Sequence, residues 1–179
     1  MSRLRPYAVI VAICAAALVS VQAAPATPPQ PVTITIDETF YAYPTTPSVT
    51  GDITAWGGIF GAQTKGTLAS VDFRWFGFPG RGKPFPFQDH LFVYTAHDRY
   101  TFPGGTFLIG FEAKCNLDPA FAVVSPFHYQ CAGNWQVNGG TGDYATVRGT
   151  GTFAETQTLD ETSAGTGFIT LTGGMHIDP

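Results

Sequence analysis

Charge is scarce in this 179-residue sequence: charged residues make up only 12%, with three lysines and four glutamates. The chain therefore lacks the Ala/Glu/Lys/Leu surplus that builds exposed helices, which argues against a helical bundle or a coiled coil. Acidic residues outnumber basic ones by 13 to nine, so the basic footprint of a nucleic-acid binder is missing too. The four histidines, His90, His97, His128 and His176, fall into no H-x-H or H-E-x-x-H pattern. No clustered ligand set for zinc is visible, and neither a metal nor a cofactor is expected. No Gly-x-Ser-x-Gly elbow surrounds Ser48, Ser70, Ser125 or Ser163. What the sequence does hold is 21 glycines, 14 prolines and 14% aromatic residues. Those are the materials of a single Gly-rich β domain.

The one long apolar run is N-terminal. Arg3 and Arg5 precede an apolar or small stretch from Tyr7 to Val21, and Val21-Gln22-Ala23 puts small residues at a cleavage site. That order predicts a secretory signal peptide over residues 1–23, removed before Ala24. The run falls short of the ~20 apolar residues a membrane span needs, so no membrane association is expected after cleavage. The mature chain would carry seven basic and 13 acidic residues, a net charge of −6. Cys14 leaves with the signal, and Cys115 and Cys131 remain as a pair in an exported, secreted or periplasmic protein. An even cysteine count there reads as a disulfide worth ~3 kcal/mol for a loop of this size; two free thiols are the alternative.

Residues 24–31 are too proline-rich for a helix or a ladder and read as an extended tether. Over residues 32–179, runs rich in Thr, Val, Ile and aromatics alternate with Gly, Pro and Asp, predicting strands at about 32–43, 49–60, 66–77, 86–96, 105–115, 128–138, 144–155 and 164–176. Val32, Ile34 and Ile36 alternate with Thr33, Thr35 and Asp37, a period of two. Phe107, Ile109, Phe111, Ala113 and Cys115 share one face, as do Cys131, Gly133, Trp135 and Val137. A Cys115–Cys131 bridge between neighbouring antiparallel strands would set Phe111 opposite Trp135. Eight strands with short connections suit an all-β, eight-stranded antiparallel up-and-down barrel better than a two-sheet sandwich. Phe78–Pro84 reads as a loop, as does His97-Asp98-Arg99-Tyr100.

Gly140-Thr141-Gly142 with Ala145 superficially matches a dinucleotide fingerprint. Thr146, Val147, Gly149 and Gly151 oppose the helix that fingerprint must open, so it is rejected. The physical reading is a tight turn, with positive φ at glycine, that Tyr144 caps. The stretch from Trp135 to Phe153, with Gly139-Gly140-Thr141-Gly142, Tyr144-Ala145 and Gly149-x-Gly151-x-Phe153, resembles the signature of allene oxide cyclase barrel-like and dirigent-like proteins. That resemblance implies an eight-stranded barrel with an apolar cavity, a small hydrophobic ligand, cyclase- or dirigent-like activity in some members, and homo-oligomers. It carries no catalytic residue onto a numbered position here.

Candidate site residues follow from strand faces. Phe73, Trp75, Phe111, Trp135 and Tyr144 form the expected ligand wall, with the Trp135 N–H orienting a polar end of the ligand. Glu112 lies in a strongly apolar strand and is the candidate general acid if it faces a cavity; an outward carboxylate near Lys114 is the simpler reading. Asp72 and Arg74 share a face and read as a surface pair. A barrel whose interior is filled, serving as a secreted structural or interaction module, is the alternative to ligand binding.

Overall fold

Period-two alternation carries through the whole chain and builds the fold. The computed structural model describes residues 27–41, 48–77, 91–118, 120, 125–160 and 164–179, apart from the side chains of 75–77. It contains eight strands: β1 (Gln30–Tyr41), β2 (Ser48–Trp56), β3 (Thr64–Gly77), β4 (Leu91–Phe102), β5 (Gly105–Leu117), β6 (Phe127–Gly142), β7 (Val147–Leu159) and β8 (Gly165–Ile177). Each pairs antiparallel with the next, and β8 returns to β1, so the sheet closes into a barrel in sequence order. Closure leaves no exposed edge to template aggregation. Inward residues such as Ile34, Ile36, Phe107 and Ile109 are buried, while Thr, Asp and Lys take the outer phase.

Several boundaries differ from expectation, β6 running to Gly142 and β7 spanning Val147–Leu159 among them, and three have an evident local reason. The fourth strand was expected at 86–96, but β4 runs to Phe102, so His97-Asp98-Arg99-Tyr100 is mid-strand and not a turn. The polar residues interrupt the hydropathy there without breaking the period: Asp98 and Tyr100 are buried, while Arg99 faces out. The chain turns instead at Pro103-Gly104, where Gly104 has φ 94°. β2 stops at Trp56, four residues early, because Gly57 and Gly58 start a one-turn 3₁₀ helix at Gly58–Phe60. The tether expected to end at Pro31 yields its last two residues to β1, where Gln30 and Pro31 pair with Met175 and Gly174 of β8. Pairing with β2 begins only at Thr33, so Pro31 sits where the ladder is one-sided and tolerates a missing donor. The proposed signal peptide, Phe78–Pro84 and His90 lie outside the described residues.

The register between β5 and β6 follows the antiparallel count. Cys115 is opposite Cys131 and disulfide-bonded to it, and Phe111 is opposite Trp135. One barrel end, where β2–β3, β4–β5 and β6–β7 connect, is closed by rings: Phe60 packs 5.0 Å from Phe102, and Phe107 lies 5.4 Å from Tyr144. Tyr144 thus caps the interior from the glycine turn, as its position suggested.

That turn depends on Gly142, which has φ 60°. A β-carbon there would also strike the Gly104 carbonyl. Left-handed backbone costs an ordinary residue ~1–2 kcal/mol and a β-branched one more. Gly142→Val is therefore expected to lose at least about 2 kcal/mol in urea denaturation; a change below about 0.5 kcal/mol would refute this geometry.

Candidate functional site

The inward phase of three strands carries acids where apolar residues are the rule. On β1, Val32, Ile34, Ile36 and Phe40 point into the core, and Glu38 keeps their phase. Asp98 does the same on β4 between Ala96 and Tyr100, and Glu155 and Gln157 on β7 between Phe153 and Leu159. Their exposures are 4% for Glu38, 5% for Asp98, 3% for Glu155 and 1% for Gln157. Glu38 pairs with Gly51 of β2 on one side and Gly167 of β8 on the other. With no side chain at either neighbour, the glutamate can turn its carboxyl into the barrel.

Glu155 is the hub. The Tyr94 hydroxyl donates to its Oε2 at 2.6 Å across 61 residues of sequence, and Gln157 Nε2 donates to its Oε1. At the level of Tyr94, the paired residues on β5 and β6 are Ala113 and Gly133; their small size suits a ring that must span from β4 to β7. The carboxyl of Glu38 neighbours that of Glu155, and its Oε1 is likewise buried without a hydrogen-bond partner. Asp98 Oδ1, the Tyr100 hydroxyl and Gln157 Oε1 are buried with no hydrogen-bond partner. An unpartnered buried polar group costs roughly 1–3 kcal/mol, so the four together are a cost that a purely structural core has no reason to carry.

Burial dominates the electrostatics. It raises Glu38 well above the carboxylate range, and the neighbouring Glu155 charge pushes the same way. Glu155 is also raised by burial, against the pull of hydrogen bonds from Glu38, Tyr94 and Gln157, which favour its charged form. Burial thus pushes both carboxyls of the pair toward their protonated forms. Asp98 is pushed up to about 7 by burial, then by Glu155 and Asp72. Burial and the nearby carboxylates likewise hold Tyr94 and Tyr100 protonated, well above the ordinary tyrosine value. The centre is thus a set of buried acids and phenols, each held toward its protonated form.

The residues chosen from sequence distribute around this centre. Phe111 and Trp135 are buried and opposed across β5–β6, with Phe111 5.2 Å from Phe153. Phe73 stacks on Tyr94 at 4.9 Å, so it borders the acid cluster directly. Trp75 pairs with Tyr94 in the β3–β4 ladder; its side chain lies outside the described residues. Tyr144 belongs to the aromatic cap, away from the carboxylates. The Trp135 N–H, expected to orient a ligand, is instead spent on the carbonyls of Thr152 at 3.1 Å and Thr172 at 3.2 Å. Glycines at 151 and 173 allow this, since a β-carbon at either would overlap the indole.

Glu112 is exposed on the outer face of β5, paired with Thr95 and Asn134. The inward carboxylates are therefore other residues. Glu112 lines an open outer groove of about 650 Å³ with His97, Asn134, Gln136 and Asn138. His97 Nδ1 there bonds Asp72 Oδ1 at 2.8 Å, so Asp72 pairs with a histidine across the strand rather than with Arg74. His97 and Asp98, adjacent in sequence, serve opposite faces of the sheet. Among the described residues, no group of three His, Cys, Asp or Glu side chains is arranged to hold a metal ion.

The signal for the missed residues was present as phase. Counting by two from Ile36 lands on Glu38, from Ala96 on Asp98 and from Phe153 on Glu155. Fold and site together define a closed eight-stranded antiparallel barrel with a buried acid-and-phenol centre walled by aromatic rings. Comparison with family models, curated proteins and solved structures found no match for the chain.

Proposed function

We propose that this chain is an exported barrel that binds a small, largely apolar molecule in its interior. The carrying observation is the set of unpartnered polar atoms on Asp98, Tyr100 and Gln157 beside Glu155. A barrel needed only as a scaffold would fill these positions with aliphatic side chains, at no desolvation cost. Aromatic surroundings with a few convergent polar groups are the usual make-up of a small-molecule site. The signal-like N-terminus and the disulfide support export, and the likeness of Trp135–Phe153 to allene oxide cyclase barrel-like and dirigent-like proteins supports a ligand of this kind. Ring closure or coupling guided by the buried acids is the chemistry that such a likeness suggests.

Exposed apolar side chains favour a second reading as an interaction module. Phe168 is 46% exposed and Val71 50%, both on the outer face. The two readings separate in a titration of the mature chain with neutral, anionic and cationic small apolar compounds, followed by tryptophan fluorescence. The proposal expects saturable binding that weakens at least tenfold in Asp98→Asn or Tyr100→Phe, with Trp135→Phe as the optical control. Binding by no class, or binding indifferent to both interior variants, would leave the interaction module standing instead.

A further inference from the structure

Every charged group near the barrel centre is acidic. Glu38, Asp98 and Glu155 converge from β1, β4 and β7, while Lys65, Arg74, Arg99, Lys114 and Arg148 are all exposed. The histidines of the described residues are engaged elsewhere: His97 with Asp72, His128 with Thr158 and His176 with Asp178. No described cation therefore balances the interior charge. The open valences point the same way. Gln157 Oε1 can only accept, and Asp98 Oδ1 accepts whenever the group is ionised. Tyr100, fully buried and near all three acids, leaves its hydroxyl unpartnered beside them. What this arrangement lacks is a positive charge among its acids.

We infer that the interior site takes a protonated amine: a small apolar molecule whose ammonium group docks among Glu155, Asp98, Gln157 and Tyr100. An ammonium offers up to three N–H donors, one for Gln157 Oε1 and the others for acid oxygens that ionise beside it. In a water-poor interior its attraction to a carboxylate is stronger than at a surface. A carboxylate head, as in a fatty acid, would add a fourth acid to the three and leave Gln157 Oε1 unsatisfied. A metal ion fits less well, because these acids do not form a ligand group. The inference rests on the interior-binding reading above and names the chemistry of its ligand.

The test uses three probes with one skeleton, octylamine, 1-octanol and octanoate, titrated calorimetrically into the mature, disulfide-bonded protein near neutral pH. Octylamine is expected to bind at least tenfold more tightly than 1-octanol, and octanoate not measurably. Glu155→Gln and Asp98→Asn should each cost octylamine tenfold or more while leaving 1-octanol unchanged. Tyr94→Phe, which removes one donor to Glu155, serves if either variant fails to fold. Asp52→Asn, an exposed acid on β2, should change nothing, which separates interior docking from attraction to an acidic surface. Equal or tighter binding of 1-octanol would overturn the amine assignment while leaving interior binding intact. Octylamine binding that Asp52→Asn weakens as much as Asp98→Asn would overturn it as well. Failure of all three probes, together with failure of the wider compound panel, would remove both readings.

Discussion

Acidifying the mature protein from about pH 7.5 to about pH 5 is expected to stabilise it, the reverse of ordinary acid denaturation. The cause is the buried centre. Asp98 holds its proton to about 7 in the fold, against an ordinary value of 3.8. Between those values the unfolded chain has released a proton that the folded chain retains, so stability falls as pH rises. Each unit is worth about 1.4 kcal/mol, so between about pH 5 and 7.5 Asp98 alone accounts for about 2.5 kcal/mol. The contribution is complete below the unfolded value and gone above about 7. Glu38 is raised in the same direction by burial and by Glu155, and it steepens the slope. For a domain of this size the sum corresponds to a melting temperature higher by on the order of 10 °C at the lower pH. Asp98→Asn should flatten the dependence, because the interior group then no longer titrates. Calorimetric scans across this range check both statements. A melting temperature that falls steadily on acidification would contradict the placement of the three acids.

The second large effect concerns the glycine-rich strand β7. Gly151→Val is expected to cost more than about 3 kcal/mol, the upper end of what overpacking usually does. A β-carbon at 151 would lie 2.7 Å from both Cε2 and Nε1 of Trp135 and would meet the Thr172 carbonyl. Neither neighbour can yield: the indole is buried and its N–H is tied to two backbone carbonyls, and the carbonyl belongs to the barrel wall. Thr150→Val, one residue away and exposed, should stay within about 0.5 kcal/mol. Urea midpoints of the two variants measure the contrast. A loss below about 1 kcal/mol at Gly151 would show that the indole does not rest on this strand.

Gly151 also shows what the sequence made legible and what it hid. From the sequence, the glycines of this strand said only that no helix follows the turn. Their closer role, making a bed for Trp135, requires knowing that β6, β7 and β8 are neighbours. The barrel was readable because alternation, turn residues and the cysteine pair are local signals. Their consequences, such as Phe111 opposite Trp135, follow by counting. The acid centre was less readable for two reasons. Hydropathy marks Glu38, Asp98 and Glu155 as outward, although phase places them inside. Glu112 attracted notice because its strand is apolar, yet it has the opposite phase from Phe111. Moreover, Tyr94 and Glu155 meet across the barrel from strands that are not neighbours, and no pattern in one sequence encodes that meeting.

The measurement closest to the central claim is native mass spectrometry of the protein isolated from the secretions of its own source. The expected spectrum shows a chain beginning at Ala24 with one small molecule bound non-covalently. Unfolding solvent releases that molecule, and fragmentation finds an amine on an apolar skeleton. A bare chain under the gentlest conditions, from protein that also fails to take up octylamine, would contradict the claim that this interior is a binding site.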